Sequence, residues 1–361
     1  MPALLQVRTH SGGASVKARS GDSIRLNRIW PAIFPSCSAT MDGTVSPDRR
    51  RALARPPGLS SPNARRRSLR TGFEFHATGA TAFYDGSRFA RDGVVCVTIN
   101  YRVGAEGFLY LADGIANLGL LDQIAALEWV RENIATFGGD PSKVTIFGES
   151  AGGMSVATLL TMPRAKGLFR RAIIQNGNTP NVTSAATAAR IAKRLAEKLG
   201  VPATRRAIAA IAPERVLQAQ AQLRDDLQAR PEPVFWGEVA LTHLPWAPAV
   251  DGQTIPQPPI DCIRAGVAAD IDLLIGSNTE ETRLFLLSDG TIDHFTGEAL
   301  VAMAATYGLP AEGWGAYRAA HPGASAGELF SAIQTDWYWA PPRRQAGRRP
   351  RMQCPRRHLY V

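Results

Sequence analysis

Gly148-Glu149-Ser150-Ala151-Gly152 has the spacing of a nucleophile elbow, a serine held on a sharp turn between a strand and a helix. A serine hydroxyl is a weak nucleophile, so acyl-transfer chemistry needs a base to take its proton and donors to hold the developing oxyanion. The elbow meets part of that need. It projects the hydroxyl above the sheet, its glycines let strand and helix approach closely, and the helix N-terminus offers backbone N–H groups to negative charge. On this reading Ser150 is the nucleophile and the Ala151 N–H one oxyanion donor. The competing reading is a glycine-rich turn that happens to contain a serine, and the elements on either side decide between the two.

Those elements have the expected order. Lys143–Phe147 reads as a strand and Ala151–Met162 as a helix, so the motif lies at a strand-to-helix junction. Gly93–Asn100 is a short β-branched run with the composition of a strand buried on both faces of a parallel sheet. Leu120, Ile124, Leu127, Val130 and Ile134 then recur at helical spacing, with Gly138-Gly139-Asp140-Pro141 as the stop. Arg171–Asn176 and Ile271–Gly276 read as further strands, the latter followed by the polar turn Ser277–Glu281. Thr183–Leu199, stopped by Gly200, and Pro213–Leu227 read as helices that could cap the sheet. Later helices are expected at Gly297–Thr306 and Ala326–Trp337. Alternating strands and helices imply an α/β fold with a mostly parallel sheet.

Composition narrows the function classes. The chain has 361 residues, 45% of them hydrophobic, which is enough for a large core without disulfide or metal support. Cys37, Cys96, Cys262 and Cys354 form no C-x-x-C pair, so no zinc module is encoded and a reducing compartment is the simpler expectation. No run of 18 apolar residues occurs, and Met1–His10 lacks the charged-then-apolar order of a signal peptide. A soluble, cytoplasmic protein without membrane partners is expected. The net charge of +10 is concentrated in two places: residues 49–70 hold eight arginines and residues 343–357 hold seven, with no acidic residue in either segment. The rest of the chain is therefore mildly acidic. Residues 49–70 contain no aromatic side chain, unlike single-strand-binding platforms, so no specific nucleic-acid partner is expected.

Five blocks, the elbow among them, resemble the type-B carboxylesterases of the α/β-hydrolase fold, which include bacterial para-nitrobenzyl esterases and the cholinesterases. They are Tyr84-Asp85-Gly86, Val97–Arg102, Asn117–Gln123, Phe137–Pro141 and Phe147–Gly153. The similarity continues through Ala249–Gly252 and Gly276–Glu281 to about Pro341. The resemblance implies one α/β-hydrolase domain over residues 1–341 with a helical cap region. It implies hydrolysis of small-molecule carboxylic esters through an acyl-serine, with no metal or organic cofactor, and leaves oligomeric state open. The family's triad acid lies in a G-x-N-x-D-E-G turn, so Glu281 takes that role, Glu280 stands beside it and Thr282 replaces the glycine. Read from the residues alone, Glu281 could equally be a solvated turn carboxylate.

Two parts of the family's machinery depart from the pattern. The oxyanion loop H-G-G-G-F has as its counterpart Ser68-Leu69-Arg70-Thr71-Gly72-Phe73, so only Gly72 and Phe73 match and the Gly72 N–H is the second oxyanion candidate. No G-x-x-H-G turn supplies the base. The six histidines are His10, His76, His243, His294, His321 and His358, of which His358 is nearest in order; His294 and His321 fall on expected surface loops. Both departures coincide with the arginine-rich segments. Residues 27–71 and 342–361 therefore read as stretches outside the family's reading frame, irregular and disordered respectively, with the family's C-terminal part cut short; the other reading is evolved basic arms. Activity is expected to be impaired. The alternatives are a catalytically dead scaffold and a basic nucleic-acid-binding protein.

Overall fold

A computed structural model of the chain describes residues 6–8, 86–177, 181–339 and 359–360. The expectations for residues 27–71 and 342–358, His358 among them, lie outside these residues, as do Gly72, His76 and His10; Leu359–Tyr360, expected in a disordered tail, instead pair as a strand with Leu274 and Ile275. At the centre is a four-stranded parallel sheet, built from β3 (Thr145–Glu149), β4 (Arg171–Gln175), β7 (Asp272–Gly276) and β8 (Leu359–Tyr360) in that order. Register is continuous across it. Glu149 pairs with Gln175, which pairs with Gly276, so the carboxyl ends of three strands lie side by side.

Two smaller strand pairs form separate sheets. β1 (Gln6–Arg8) and β2 (Cys96–Thr98) are antiparallel, and β5 (Thr183–Ser184) runs parallel to β6 (Ala249–Val250). The Gly93–Asn100 run thus forms a three-residue strand outside the main sheet, with Cys96 buried and Val97 and Thr98 half-buried, rather than one covered on both faces. Composition favours extended backbone there, but a strand's partner is chosen by contacts distant in sequence.

Helices clothe the sheet. Helix α1 (Leu118–Asn133) buries Leu120, Ile124 and Val130 and ends in a 3-10 turn stopped by left-handed Gly138. Its polar Asp122 is also buried, held by two hydrogen bonds from the Arg102 guanidinium and one from the Arg102 backbone N–H. Helix α2 (Ala151–Leu159) follows the elbow directly. Helices α3 (Ala185–Leu199) and α4 (Pro213–Ala229) join the same core through Ile191, Leu195, Leu223 and Leu227. Glu238 fixes the start of α3 by accepting from the Ser184 N–H and the Thr187 hydroxyl.

The C-terminal helices gather around a second, smaller core. Helix α5 (Glu281–Ser288) begins inside the turn expected at Ser277–Glu281, and is followed by α6 (Gly297–Thr306), α7 (Ala311–Ala320) and α8 (Ala326–Gln334). Leu300, Leu329, Phe330 and Ile333 form its centre, and Phe295 stacks on Phe330 at 4.2 Å. A complete capping box between Ser325 and Glu328 starts α8. Its end passes into a single π turn, Thr335–Trp339.

Candidate active site

The elbow is formed as the motif requires. β3 runs to Glu149, Ser150 follows at φ 52° and ψ −119°, and α2 begins at Ala151. The Ser150 N–H donates to the Gln175 carbonyl at 2.9 Å, and its carbonyl accepts from Met154 N–H at 2.9 Å, so both sides of the turn are tied down. Ala151 opens the first turn of α2, where backbone N–H groups have no partner within the helix.

Glycines permit this geometry, though not equally. A Cβ on Gly148 would lie 2.3 Å from the Gly152 carbonyl carbon, and one on Gly153 would lie 2.7 Å from the Gln175 oxygen. A Cβ on Gly177, just beyond β4, would come within 2.3 Å of Gly153. At Gly152 itself nothing lies within 4 Å. The close approach of α2 to the sheet thus depends on Gly148, Gly153 and Gly177, whereas the second glycine of the motif meets open space.

The acid candidate lies across the strand ends. Glu281 opens α5 beyond the short turn that follows β7, and its carboxylate accepts from Asn278 N–H at 2.6 Å and from Asn176 Nδ2 at 3.1 Å. Asn176 leaves β4 in the left-handed region at φ 52°, and its N–H donates to the Gly276 carbonyl at 2.9 Å. Glu281 is therefore tied to the strand that neighbours β3. Glu280 turns the other way: it is exposed and pairs with Arg283 at 2.9 Å.

Glu149, the residue before the serine, reports the same proximity. Although much of its surface is open, partial desolvation of the carboxyl and the nearby charge of Glu281 hold Glu149 above the usual carboxylate range. The carboxylate of Glu281 is thus within electrostatic reach of the residue that precedes Ser150.

Three histidines belong to the described residues. His243 ends the short helix Val239–Thr242, His294 ends the 3-10 turn Ile292–His294, and His321 follows α7. None of the three hydrogen-bonds to Ser150 or Glu281. His321 instead lines a cavity of about 300 Å³ together with Glu280, Arg283 and Glu328. Sequence reasoning did not find Asn176, whose contact with Glu281 spans 105 residues and has no local signal. Among the described residues no cluster of His, Cys, Asp and Glu could hold a metal ion.

A parallel sheet flanked by helices, with a nucleophile elbow after one strand and a carboxylate after another, defines an α/β-hydrolase. The profile of the Carboxylesterase family matches residues 71–304. Para-nitrobenzyl esterase of Bacillus subtilis is 44% identical over 220 residues, covering 59% of this chain and 43% of that protein. Cholinesterase 1 of Branchiostoma lanceolatum is 38% identical over 226 residues, covering 59% of this chain and 61% of its own. Among solved structures, the carboxylesterase EST55 of Geobacillus stearothermophilus superposes with a TM-score of 0.64 at 39% identity, over 74% of this chain and 55% of that one. The chain belongs to the carboxylesterase family. It spans about half the length of these relatives.

Proposed function

We propose that this chain is a carboxylic ester hydrolase that works through an acyl-serine intermediate. The observation that carries the reading is Ser150 on its strained turn between β3 and α2, in a chain of this family. Ser150 Oγ attacks the ester carbonyl carbon and loses its proton to a base. The tetrahedral oxyanion is held by the N–H of Ala151, with that of Gly72 as the second donor. Collapse expels the alcohol, which takes the proton back, and water then releases the acid by the same route. Glu281 orients the base and stabilises its cation. The substrate is a small-molecule ester, no metal or organic cofactor takes part, and four scattered cysteines support a reducing, cytoplasmic setting.

Turnover is proposed to be feeble. The oxyanion loop retains one of the family's glycines, and losing one donor lowers the rate about a hundredfold or more. Loss of triad function can remove a factor of about a million in turnover. A second reading, a scaffold without activity, is favoured by the engagement of both Glu281 oxygens with asparagines. The test compares the purified chain with Ser150→Ala on a para-nitrophenyl acylate and with a fluorophosphonate that labels the serine. Serine-dependent turnover and labelling at Ser150 support the hydrolase, and alanine variants of His76, His294, His321 and His358 then identify the base. Equal background rates and no labelling would sink it in favour of the inactive scaffold.

A further inference from the structure

The acid candidate stands on the first turn of α5, and that turn is not capped in the usual way. Its N-cap residue, Glu280, accepts no capping hydrogen bond from a backbone N–H of the helix and pairs instead with the Arg283 side chain. The N–H of Thr282, next to Glu281, donates instead to the hydroxyl oxygen of Thr335 at 3.1 Å, a contact spanning 53 residues. Both threonines are buried, at 2% and 4% exposure. The hydroxyl of Thr282 itself is buried without a hydrogen-bond partner among the described residues, so the N–H bond is this residue's polar tie to Thr335, beside the more exposed Arg283–Glu328 pair between the same two helices. A buried N–H left unpaired is strongly disfavoured, so the first turn of α5 follows wherever Thr335 is held.

Thr335 is itself held firmly. It sits where α8 passes into the π turn, and the residues on either side are anchored. Gln334 donates to the Tyr307 hydroxyl at 2.9 Å, and the Tyr317 hydroxyl donates to Asp336 at 2.9 Å. The second core thus presents one fixed hydroxyl to the backbone beside the acid. We propose that Thr335 is a positioning residue for Glu281, setting the carboxylate's place relative to Ser150 through the Thr282 N–H. The inference takes its catalytic meaning from the ester-hydrolase reading, whereas the placement of Glu281 can be read without turnover.

The test uses Thr335→Val, which keeps the shape and removes the acceptor, and Thr335→Ser, which keeps the acceptor. A misplacement of about 1 Å can lower a rate as much as a hundredfold, and a partial shift is expected here. Thr335→Val should lower kcat on the para-nitrophenyl ester about tenfold with KM little changed, and Thr335→Ser should retain it. The second readout is a carboxyl carbon NMR titration of glutamate-labelled protein, with Glu149 assigned through Glu149→Gln. Glu149 of β3 feels the charge of Glu281, while Glu280, Arg283 and Glu328 form their own ion-paired group. Retreat of Glu281 in Thr335→Val should move the Glu149 midpoint down toward the ordinary glutamate value. If the wild-type chain shows no serine-dependent turnover, the ester-hydrolase reading fails, yet the titration still decides the positioning role. A folded Thr335→Val with unchanged turnover and unchanged Glu149 midpoint overturns the inference. Should that variant not fold, hydrogen exchange on the wild type decides: the Thr282 amide should be protected, and exchange at the rate of a free helix-start amide would refute the tie.

Discussion

Gly148 and Gly152 belong to one motif but face different surroundings. Backbone blocks any side chain at Gly148, whereas Gly152 meets open space inside a helix, where alanine is the better helix former. Gly148→Ala should therefore lower stability by about 3 kcal/mol or more, because the clash is with main chain that cannot rotate away. Gly152→Ala should be neutral or stabilising by up to about 1 kcal/mol. Urea denaturation of the two variants side by side checks both. Glu149 makes a different kind of prediction. Its raised midpoint means that the folded state binds this proton more readily than the unfolded chain, so its contribution is present in acid and is lost as pH rises through the raised value. Glu149→Gln should flatten that part of the stability profile, leaving the variant at least as stable as wild type at neutral pH and equal to it below the ordinary glutamate range. Greater loss of stability in the variant at neutral pH than in acid would reverse the sign.

At the scale of elements, Asn117 ties the start of α1 to β6. It sits in the left-handed region at φ 57°, donates from Nδ2 to the Ala249 carbonyl and to Thr254, and accepts the Ala249 N–H at 2.8 Å. Asn117→Ala removes these bonds, leaves the Ala249 N–H unsatisfied and puts a poorly suited residue at positive φ, so it should cost about 2–4 kcal/mol. A Tm decrease with unchanged oligomeric state would show it. Much at this scale was legible in the sequence. α1 follows from apolar spacing and a glycine stop, α3 from an alanine-rich run ended by Gly200, and α2 and the strand before it from the order of elements around the elbow. α5 was not, because Leu284–Leu287 is an unbroken apolar run with no helical stripe, and Leu284 and Leu287 remain exposed. α7 carries Gly313 and Gly315, which weaken its local helical signal. Ser150 and Ala151 could be placed because the elbow is local. Asn176 and Thr335 are single polar residues at element ends whose partners are far along the chain, and nothing nearby in sequence marks them.

For the whole molecule, charge and backbone strain matter most. Fifteen arginines lie in two segments of a chain with net charge +10, so attraction to polyanions should be general rather than selective. Binding to heparin and to unrelated DNA duplexes should be alike, fall steeply with salt and show no sequence preference; a duplex preferred by a hundredfold at physiological salt would contradict this. Holding Ser150 on its turn also involves the entire core. At φ 52° and ψ −119° the backbone occupies a region suited to glycine, so the surrounding structure must hold the serine where it would not settle by itself. Ser150→Gly should consequently melt roughly 1–3 °C above Ser150→Ala, whose Cβ retains the conflict. Inheritance would then face opposing pressures at this position: folding alone favours drift toward glycine, and only selection for the hydroxyl's chemistry keeps a serine in place.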